Sequence, residues 1–409
     1  MNLRLRAYDL LISLVHSATP LFSLLHSKLK IRQKAEKENW KKIQSFADGR
    51  ALNKKLIWMH CASLGEFEQG QPILSKIRET HGDNILLVLS FMSPSGFEQK
   101  KNEKLVDLVI YLPIDTVKNS KKIVSALKPD IFIGVKYEFW WNLIQILQNN
   151  SCAIVWIALK FSEKHYFLHP FASPFLNLLR RCEHLFVQDQ ETFQLLSAKG
   201  FDNVSIAGDP RIERIVNRRS FNTDIHIFKP PKNYKKIVIY GSVYSADFEK
   251  IGNAVIKHPD YYHIIVPHDV SKFEIQKIAN CLNIPTITPA EIRHGINYVM
   301  VDQVGLLFDL YLLADIAYVG GGFGKGIHNV LEPLSCGLPV GIGPKHRAFK
   351  EAKELIQFGL AKKIENEIDF EHFITTHTKT EAGIKQSEDY LIKNCGATLI
   401  IYSYIKQLI

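Results

Sequence analysis

Two kinds of hydrophobic pattern alternate along this chain. Short unbroken apolar runs occur at 56–60 (LIWMH), 84–90 (NILLVLS), 108–113 (LVIYLP), 130–135 (DIFIGV), 153–159 (AIVWIAL), 184–189 (HLFVQD) and 204–208 (VSIAG). Between most of them lie stretches with helical spacing, such as PILSKIRETH and NLIQILQNN. This alternation predicts a parallel sheet covered by helices on both faces. It stops at a polar, basic stretch containing Pro230 and Pro231, which predicts a linker over 216–236. It resumes with IVIYGS (237–242), HIIVPH (263–268), INYVMVD (296–302), IAYVGGG (316–322) and PVGIG (339–343). The predicted class is α/β, with doubly wound Rossmann-like domains at 51–215 and 237–381. A segment over 1–50 precedes them and a C-terminal helix over 382–409 follows. Ligands of such sheets bind beyond the carboxyl ends of the strands, so a cleft between two facing domains is the expected site.

The first fifty residues follow neither pattern. Leu10 to Ser27, LLISLVHSATPLFSLLHS, is eighteen residues without Lys, Arg, Asp or Glu, yet it holds four serines, a threonine and Pro20. A spanning helix needs about 20 mostly apolar residues, so this run is marginal. No A-x-A-like cleavage site follows it. Arg4 and Arg6 precede it; Lys28, Lys30, Arg32, Lys34 and Lys37 follow. Such a segment either lies in the face of an anionic membrane or packs as a first helix on its own domain.

Composition narrows the partners. With 409 residues, 46% hydrophobic and 22% charged, the chain is a folded protein of more than one domain. A formal charge of +10 favours anionic partners such as nucleic acid, acidic lipid or a charged metabolite. Six scattered cysteines form no C-x-x-C pair, so neither a disulfide framework nor a zinc site is indicated.

The densest chemical signal is GGGFGKGIHNVLEPLSCGLPVGIGP, Gly320 to Pro344. A G-x-G-x-x-G frame starting at Gly320 meets Lys325 where the last glycine belongs, and one from Gly322 meets Ile327. The P-loop pattern fails at Val319 and Gly326. What remains is a strand, a glycine turn and a helix predicted to begin near His328–Asn329. Its free N–H groups and dipole suit a phosphate, although a plain tight turn needs glycines as well. Glu332, one turn beyond Asn329, offers a carboxylate to a ribose diol. The chain has no D-x-D, G-x-S-x-G or H-E-x-x-H, so no metal ligand set is named. A second cluster, HCASLGEFEQGQPIL (60–74), ends the first strand. Gly65 there permits a tight turn, and Glu66 is either a dipole-complementing helix start or a general base. SFMSPSGFE (90–98) and GVKYEFWWNLI (134–144) end further strands of the same domain.

Taken in order, HCASLGEFEQGQP, SFMSPSG, YLPID, YEFWWNLI, FVQDQETFQLLSAKG followed by GDPR, and FGKGIHNVLEP followed by GP resemble the Kdo (3-deoxy-D-manno-octulosonic acid) transferases of lipopolysaccharide assembly. The resemblance runs to about residue 360. It implies the GT-B architecture, with an acceptor-side first domain, a CMP-sugar-binding second domain and a final helix crossing back onto the first. It implies inverting transfer of Kdo from a CMP-Kdo donor to the lipid A precursor (lipid IVA), without metal, cofactor or nucleic acid. The location implied is the cytoplasmic face of the bacterial inner membrane, on an anionic surface. The catalytic base falls on Glu66. The donor-binding residues implied are Ser242, Pro267, Gly321, Gly322, Asn329 and Glu332, with Lys325 and Arg211 as candidate cations. Ser63, Gly65, Ser93, Ser95, Glu138 and Trp140 form the acceptor side. This chain departs from the family pattern at VPHD (Pro267 to Asp269), at VYSADFE (Val243 to Glu249) and at Trp141. Two other readings are a GT-B enzyme with another nucleotide sugar and a catalytically silent, membrane-peripheral nucleotide-binding protein. A Rossmann dehydrogenase lacks its fingerprint.

Overall fold

The computed structural model describes residues 3–23, 27–51, 53–169, 172–217, 225–230, 234–286, 296–347 and 349–409. The side chains of Arg4, Lys28, Lys30, Arg32, Lys34 and Lys37 lie outside the described part, as do residues 218–224 and 231–233 of the linker stretch. The chain forms two compact units, one of Met1–Arg214 with Asn394–Ile409 and the other of Ile215–Lys393.

In the first unit the apolar runs become β1 (Lys55–Cys61), β2 (Ile85–Phe91), β3 (Leu108–Tyr111), β4 (Ile131–Val135), β5 (Ala153–Leu159), β6 (His184–Val187) and β7 (Val204–Ile206). They form one sheet in the order β3-β2-β1-β4-β5-β6-β7, with every pair parallel. Side chains alternate across a strand. Trp58, Val88, Phe132 and Trp156 therefore pack on one face, and Ile57, Met59, Leu87, Ile133 and Val155 on the other. Burial on both faces is why the runs are unbroken. Strand order reverses between β1 and β4, which makes their carboxyl ends the switch point of this sheet.

Two N-terminal helices, Leu3–Ser23 and Ser27–Gly49, precede β1. The first is tied to its own unit. The Tyr8 hydroxyl donates to Asp115 (2.9 Å), and the Asp9 carboxylate accepts from the Asn142 side chain (3.1 Å) and the Val117 amide (3.4 Å). Leu10, Leu11, Leu14 and Val15 remain 50–64% exposed. Among the described residues no helix is long and apolar enough to cross a membrane.

The second unit contains β8 (Lys236–Val243), β9 (Tyr261–Pro267), β10 (Tyr298–Met300), β11 (Ile316–Val319), β12 (Val340–Ile342) and β13 (Ala361–Lys363). Its parallel sheet runs β10-β9-β8-β11-β12-β13, with the switch point between β8 and β11. Strand β13 has no counterpart among the apolar runs, because Lys362 and Lys363 are exposed at the sheet edge. The segment 382–409 is two helices, Glu381–Asn394 and Ala397–Leu408, broken at Gly396 with φ 119°. Only the second is in the first unit. Its Ala397, Ile401 and Ile405 are buried with Ile73 and Leu74, and Glu213 accepts from the Gly396 and Thr398 amides at its start (2.8 and 2.9 Å).

Candidate functional site

The chain leaves β1 at Cys61 and enters the helix Leu64–His81 with Ser63 as N-cap. Gly65 is the second residue of that helix, so the chain turns just before it, at Ala62 and Ser63; a Cβ at this exposed position would meet nothing within 4 Å. Glu66, third in the helix, turns back to accept from the Ala62 amide, and the Ser63 amide also favours its charge. This is half of a capping box: the Ser63 hydroxyl makes no cap bond in return. Backbone N–H groups normally hold a carboxyl low. Glu66 is instead pushed up to about 7, first by burial and second by the neighbouring Glu138 carboxylate, with Lys136 opposing. Helix capping alone does not explain that environment.

Glu138 and Trp140 follow β4, on the other side of the switch point. Burial raises the Glu138 carboxyl too, and its side chain is 24% exposed. Between the carboxylates lies His60, fully buried on β1. The Trp140 indole N–H donates to His60 Nε2 (3.2 Å), so Nε2 carries no proton and Nδ1 donates to Ser90 Oγ (2.9 Å). The Trp58 indole donates to the same hydroxyl (2.8 Å). With Nε2 an acceptor, its 4.0 Å approach to Glu138 is not an ion pair. This polar line locks the imidazole and places Trp140. Lys136 turns the chain out of β4 at φ 55°, a left-handed conformation that costs a non-glycine residue energy. On the β2 side, Ser93 caps the helix Pro94–Lys100, accepting from the Gly96 amide (3.2 Å) with Ser95 Oγ 3.3 Å away, and its amide donates to Ala62 (2.8 Å). The structure thus gathers Ser63, Glu66, Ser93, Ser95, Glu138 and Trp140 at the ends of β1, β2 and β4. Trp141, by contrast, is core.

In the second unit the glycine stretch brings strand-end backbones together. A Cβ on Gly320 would stand 2.5 Å from the Val243 Cα, and one on Gly322 2.5 Å from the Gly343 Cα. The glycines therefore let three strand-end loops touch backbone to backbone. Several of the turn's amides are also occupied. Gly321, at φ 87°, donates to the Asp247 carboxylate (3.0 Å), while Gly324 and Gly326 donate to the Gly321 carbonyl (2.9 and 3.1 Å) and His328 to Gly320 (3.2 Å). Asp247 is buried, which raises its carboxyl, and it also accepts from Tyr318 and the Tyr244 amide. The helix expected near His328–Asn329 begins at Leu331 and lasts five residues, with Asn329 Oδ1 accepting from the Leu331 amide (3.1 Å). The amides of Gly321, Gly324, Gly326, His328 and Leu331 are therefore not bare.

The other donor-side candidates separate into two groups. Ser242 holds φ 53° at a bulge beside Pro267, and both end strands next to the glycine turn. Glu332 is half-buried near Tyr311, and Lys325 is exposed on the turn. Arg211 belongs to the first unit, where its guanidinium is bound to Asp209 (2.5 and 2.9 Å).

Comparison with known proteins shows what the chain is similar to. Residues 35–214 match the family model described as 3-deoxy-D-manno-octulosonic-acid transferase (kdotransferase). A 3-deoxy-D-manno-octulosonic acid transferase of Aquifex aeolicus is 27% identical over 84% of this chain and 92% of its own length. A bifunctional glycosyltransferase/methyltransferase of Fusobacterium nucleatum is 25% identical over 81% of this chain, which spans only 54% of that longer relative. The chain is a Kdo-transferase homologue. It is a glycosyltransferase, and its α/β fold is of the GT-B type. UDP-GlcNAc 2-epimerase from Neisseria meningitidis superposes with TM-score 0.60 at 14% identity (86% of this chain, 100% of the other), and a Rickettsia africae glycosyltransferase with 0.58 at 14% (87% and 98%).

Several residues of this Kdo-transferase homologue carry no signal in the sequence. Asp247 lies in VYSADFE, which matches no motif. His60 opens the cluster HCASLGEFEQGQPIL, but nothing in that cluster gives it a role. Tyr244, His268 and His328 stack at the ends of β8, β9 and β11, with the two imidazoles 4.2 Å apart and 17° from parallel. Burial lowers both histidines, and His268 lowers His328 further, to about 4. They come from three separate loops, so no local pattern joins them.

Proposed function

We propose that the chain transfers Kdo from CMP-Kdo to a hydroxyl of a lipid A precursor, with Glu66 as general base. The observation that carries this reading is the pair Glu66 and Glu138 at the β1/β4 switch point of a Kdo-transferase homologue, with the Glu66 carboxyl at about 7. A base works best when its proton affinity lies near the working pH. Glu138 supplies part of that increase, so the second carboxylate tunes the first. Glu66 takes the proton of the acceptor hydroxyl as its oxygen attacks the anomeric carbon. The bond from that carbon to the phosphate oxygen breaks with its electron pair, and CMP leaves. One displacement inverts the anomeric centre. CMP departs as a phosphate ester that cationic side chains stabilise, so the step is read as metal-independent.

The test incubates the protein with CMP-Kdo and tetraacylated lipid A precursor in chelator and weighs the lipid. A gain of one or more Kdo masses is expected. Bound CMP with an unchanged lipid defeats the reading in favour of another sugar or a silent binding protein.

The lipid acceptor also gives the N-terminus a role: the exposed Leu10, Leu11, Leu14 and Val15 enter the surface of an anionic inner-membrane leaflet. Leu11→Glu/Leu14→Glu should reduce flotation with phosphatidylglycerol vesicles at least about tenfold, given about 1.5–3 kcal/mol for each buried Leu side chain. A water-soluble acceptor analogue should be glycosylated by the variant as fast as by the wild type. Undiminished flotation would remove the membrane role from this helix.

A further inference from the structure

The occupied glycine turn leaves a question of charge. Its amides at 321, 324, 326 and 328 have internal acceptors, and the Asp247 carboxylate beneath Gly321 repels an anion. A phosphate beside the turn needs further, cationic donors. They stand beside the turn, at the carboxyl ends of β11, β12 and β13. A cavity of about 610 Å³ there is lined by Lys325, Lys345, Arg347 and Lys363, with buried His346 and the single carboxylate of Glu365. Gly326 of the turn also lines it. Lys345 Nζ donates to the Gly324 carbonyl (2.7 Å) and its amide to the Gly322 carbonyl (3.0 Å), which fixes the post-β12 loop against the turn without cancelling the charge. Lys363 pairs with Glu365 at 2.8 Å. Lys325, Lys345 and Arg347 are exposed. Four cations against one carboxylate around one concavity repel each other and draw an anion in, and a guanidinium among them offers two parallel N–H donors to an oxyanion.

We propose that this cavity is a phosphate-binding site, and that the phosphate it takes is that of the nucleotide-sugar donor. The second clause rests on the function proposed above; the first does not. The same oxyanion chemistry is presented by free phosphate and by an anionic lipid headgroup, so the experiment separates these sources.

Wild type and Arg347→Gln/Lys363→Gln are titrated with CMP by calorimetry, with and without inorganic phosphate as competitor, and floated with phosphatidylglycerol vesicles. Both replaced side chains are exposed, and a thermal melt checks the fold; Arg347→Lys/Lys363→Arg, which keeps the charge, is measured alongside. The expected result is CMP affinity about tenfold or more lower in the Gln variant, since hydrogen bonds to charged groups are the stronger kind. Phosphate should compete in the wild type and in the charge-keeping variant but not in the Gln variant, the charge-keeping variant should bind near wild-type strength, and flotation should not change. Unchanged CMP affinity together with unchanged flotation overturns the proposal. Weaker flotation with unchanged CMP affinity overturns the nucleotide assignment and gives the site to a lipid phosphate. Kdo transfer is scored separately. A wild type that transfers Kdo while the Gln variant keeps its KM for CMP-Kdo overturns the site and leaves the function. One that binds CMP through this cavity and transfers nothing overturns the function and leaves the site.

Discussion

Glu66→Gln should lower transfer by about 10²- to 10⁴-fold and, at pH 8, make the protein more stable. The two effects share one cause. The Glu66 carboxyl rises from an ordinary 4.5 to about 7 on folding, so the folded state binds more protons than the unfolded state between those values. Stability contributed by this group is therefore greatest below pH 4.5, falls as pH climbs to about 7, and is lowest above that. The full penalty is roughly 3 kcal/mol at about 1.36 kcal/mol per pKa unit. Glutamine keeps the acceptor for the Ala62 amide and removes the charge. It should raise the melting temperature at pH 8 and leave it unchanged at pH 4. Transfer by the wild type should fall on the acid side with a midpoint near 7, because the base must be unprotonated. Were Glu66 only a helix-start carboxylate, the substitution would cost about 0.3–1 kcal/mol at pH 8 and leave turnover alone. Melting curves at the two pH values, with one turnover assay, separate these cases.

How much of this is legible in the sequence depends on the kind of interaction. Strands buried on both faces announce themselves, which is why the runs at 56–60, 130–135 and 153–159 correspond to β1, β4 and β5. Edge strand β13 has one apolar residue and two exposed lysines, so it carries no such pattern. Glu66 is visible because a carboxylate at a strand-to-helix turn is a local feature. Its elevated proton affinity is not, because that comes from burial and from Glu138, which the sheet order brings near from the end of a different strand. The glycine stretch is ambiguous for a related reason. Glycine density reports that backbone must be approached closely but not by what; the visitors at Gly320 and Gly322 are Val243 and Gly343. Of the cations of the neighbouring cavity, Lys325 stands in the glycine stretch, while the other three sit in GPKHRAFK and at the end of β13, with no periodicity to mark them.

Replacing Asp115 by alanine should be the most damaging change outside the proposed chemistry. This buried carboxylate accepts from the Tyr8 hydroxyl (2.9 Å), the Ser120 hydroxyl (2.8 Å) and the Asn142 and Leu143 amides (3.0 and 2.8 Å). Burial nevertheless raises it to about 6, so these four donors only partly offset the desolvation. Alanine strands all four in an apolar setting, at a cost of about 3–5 kcal/mol. That lowers the melting temperature by about 6–20 °C for a unit of this size. Tyr8→Phe removes one donor and leaves three, so it should cost only about 1 kcal/mol. The consequence reaches the site by a short path. The Asn142 and Leu143 amides open the helix Trp141–Asn149, and Glu138 and Trp140 stand immediately before it. Asp115 thereby holds both the first helix, with its exposed leucines, and the segment that tunes Glu66. Below its own melting temperature the alanine variant should show a lower kcat and a Glu66-dependent acid limb moved from its wild-type midpoint. Tyr8→Phe should keep both. An alanine variant within about 1 kcal/mol of wild type, with an unmoved acid limb, would mean that water replaces the carboxylate and that the two regions are held independently.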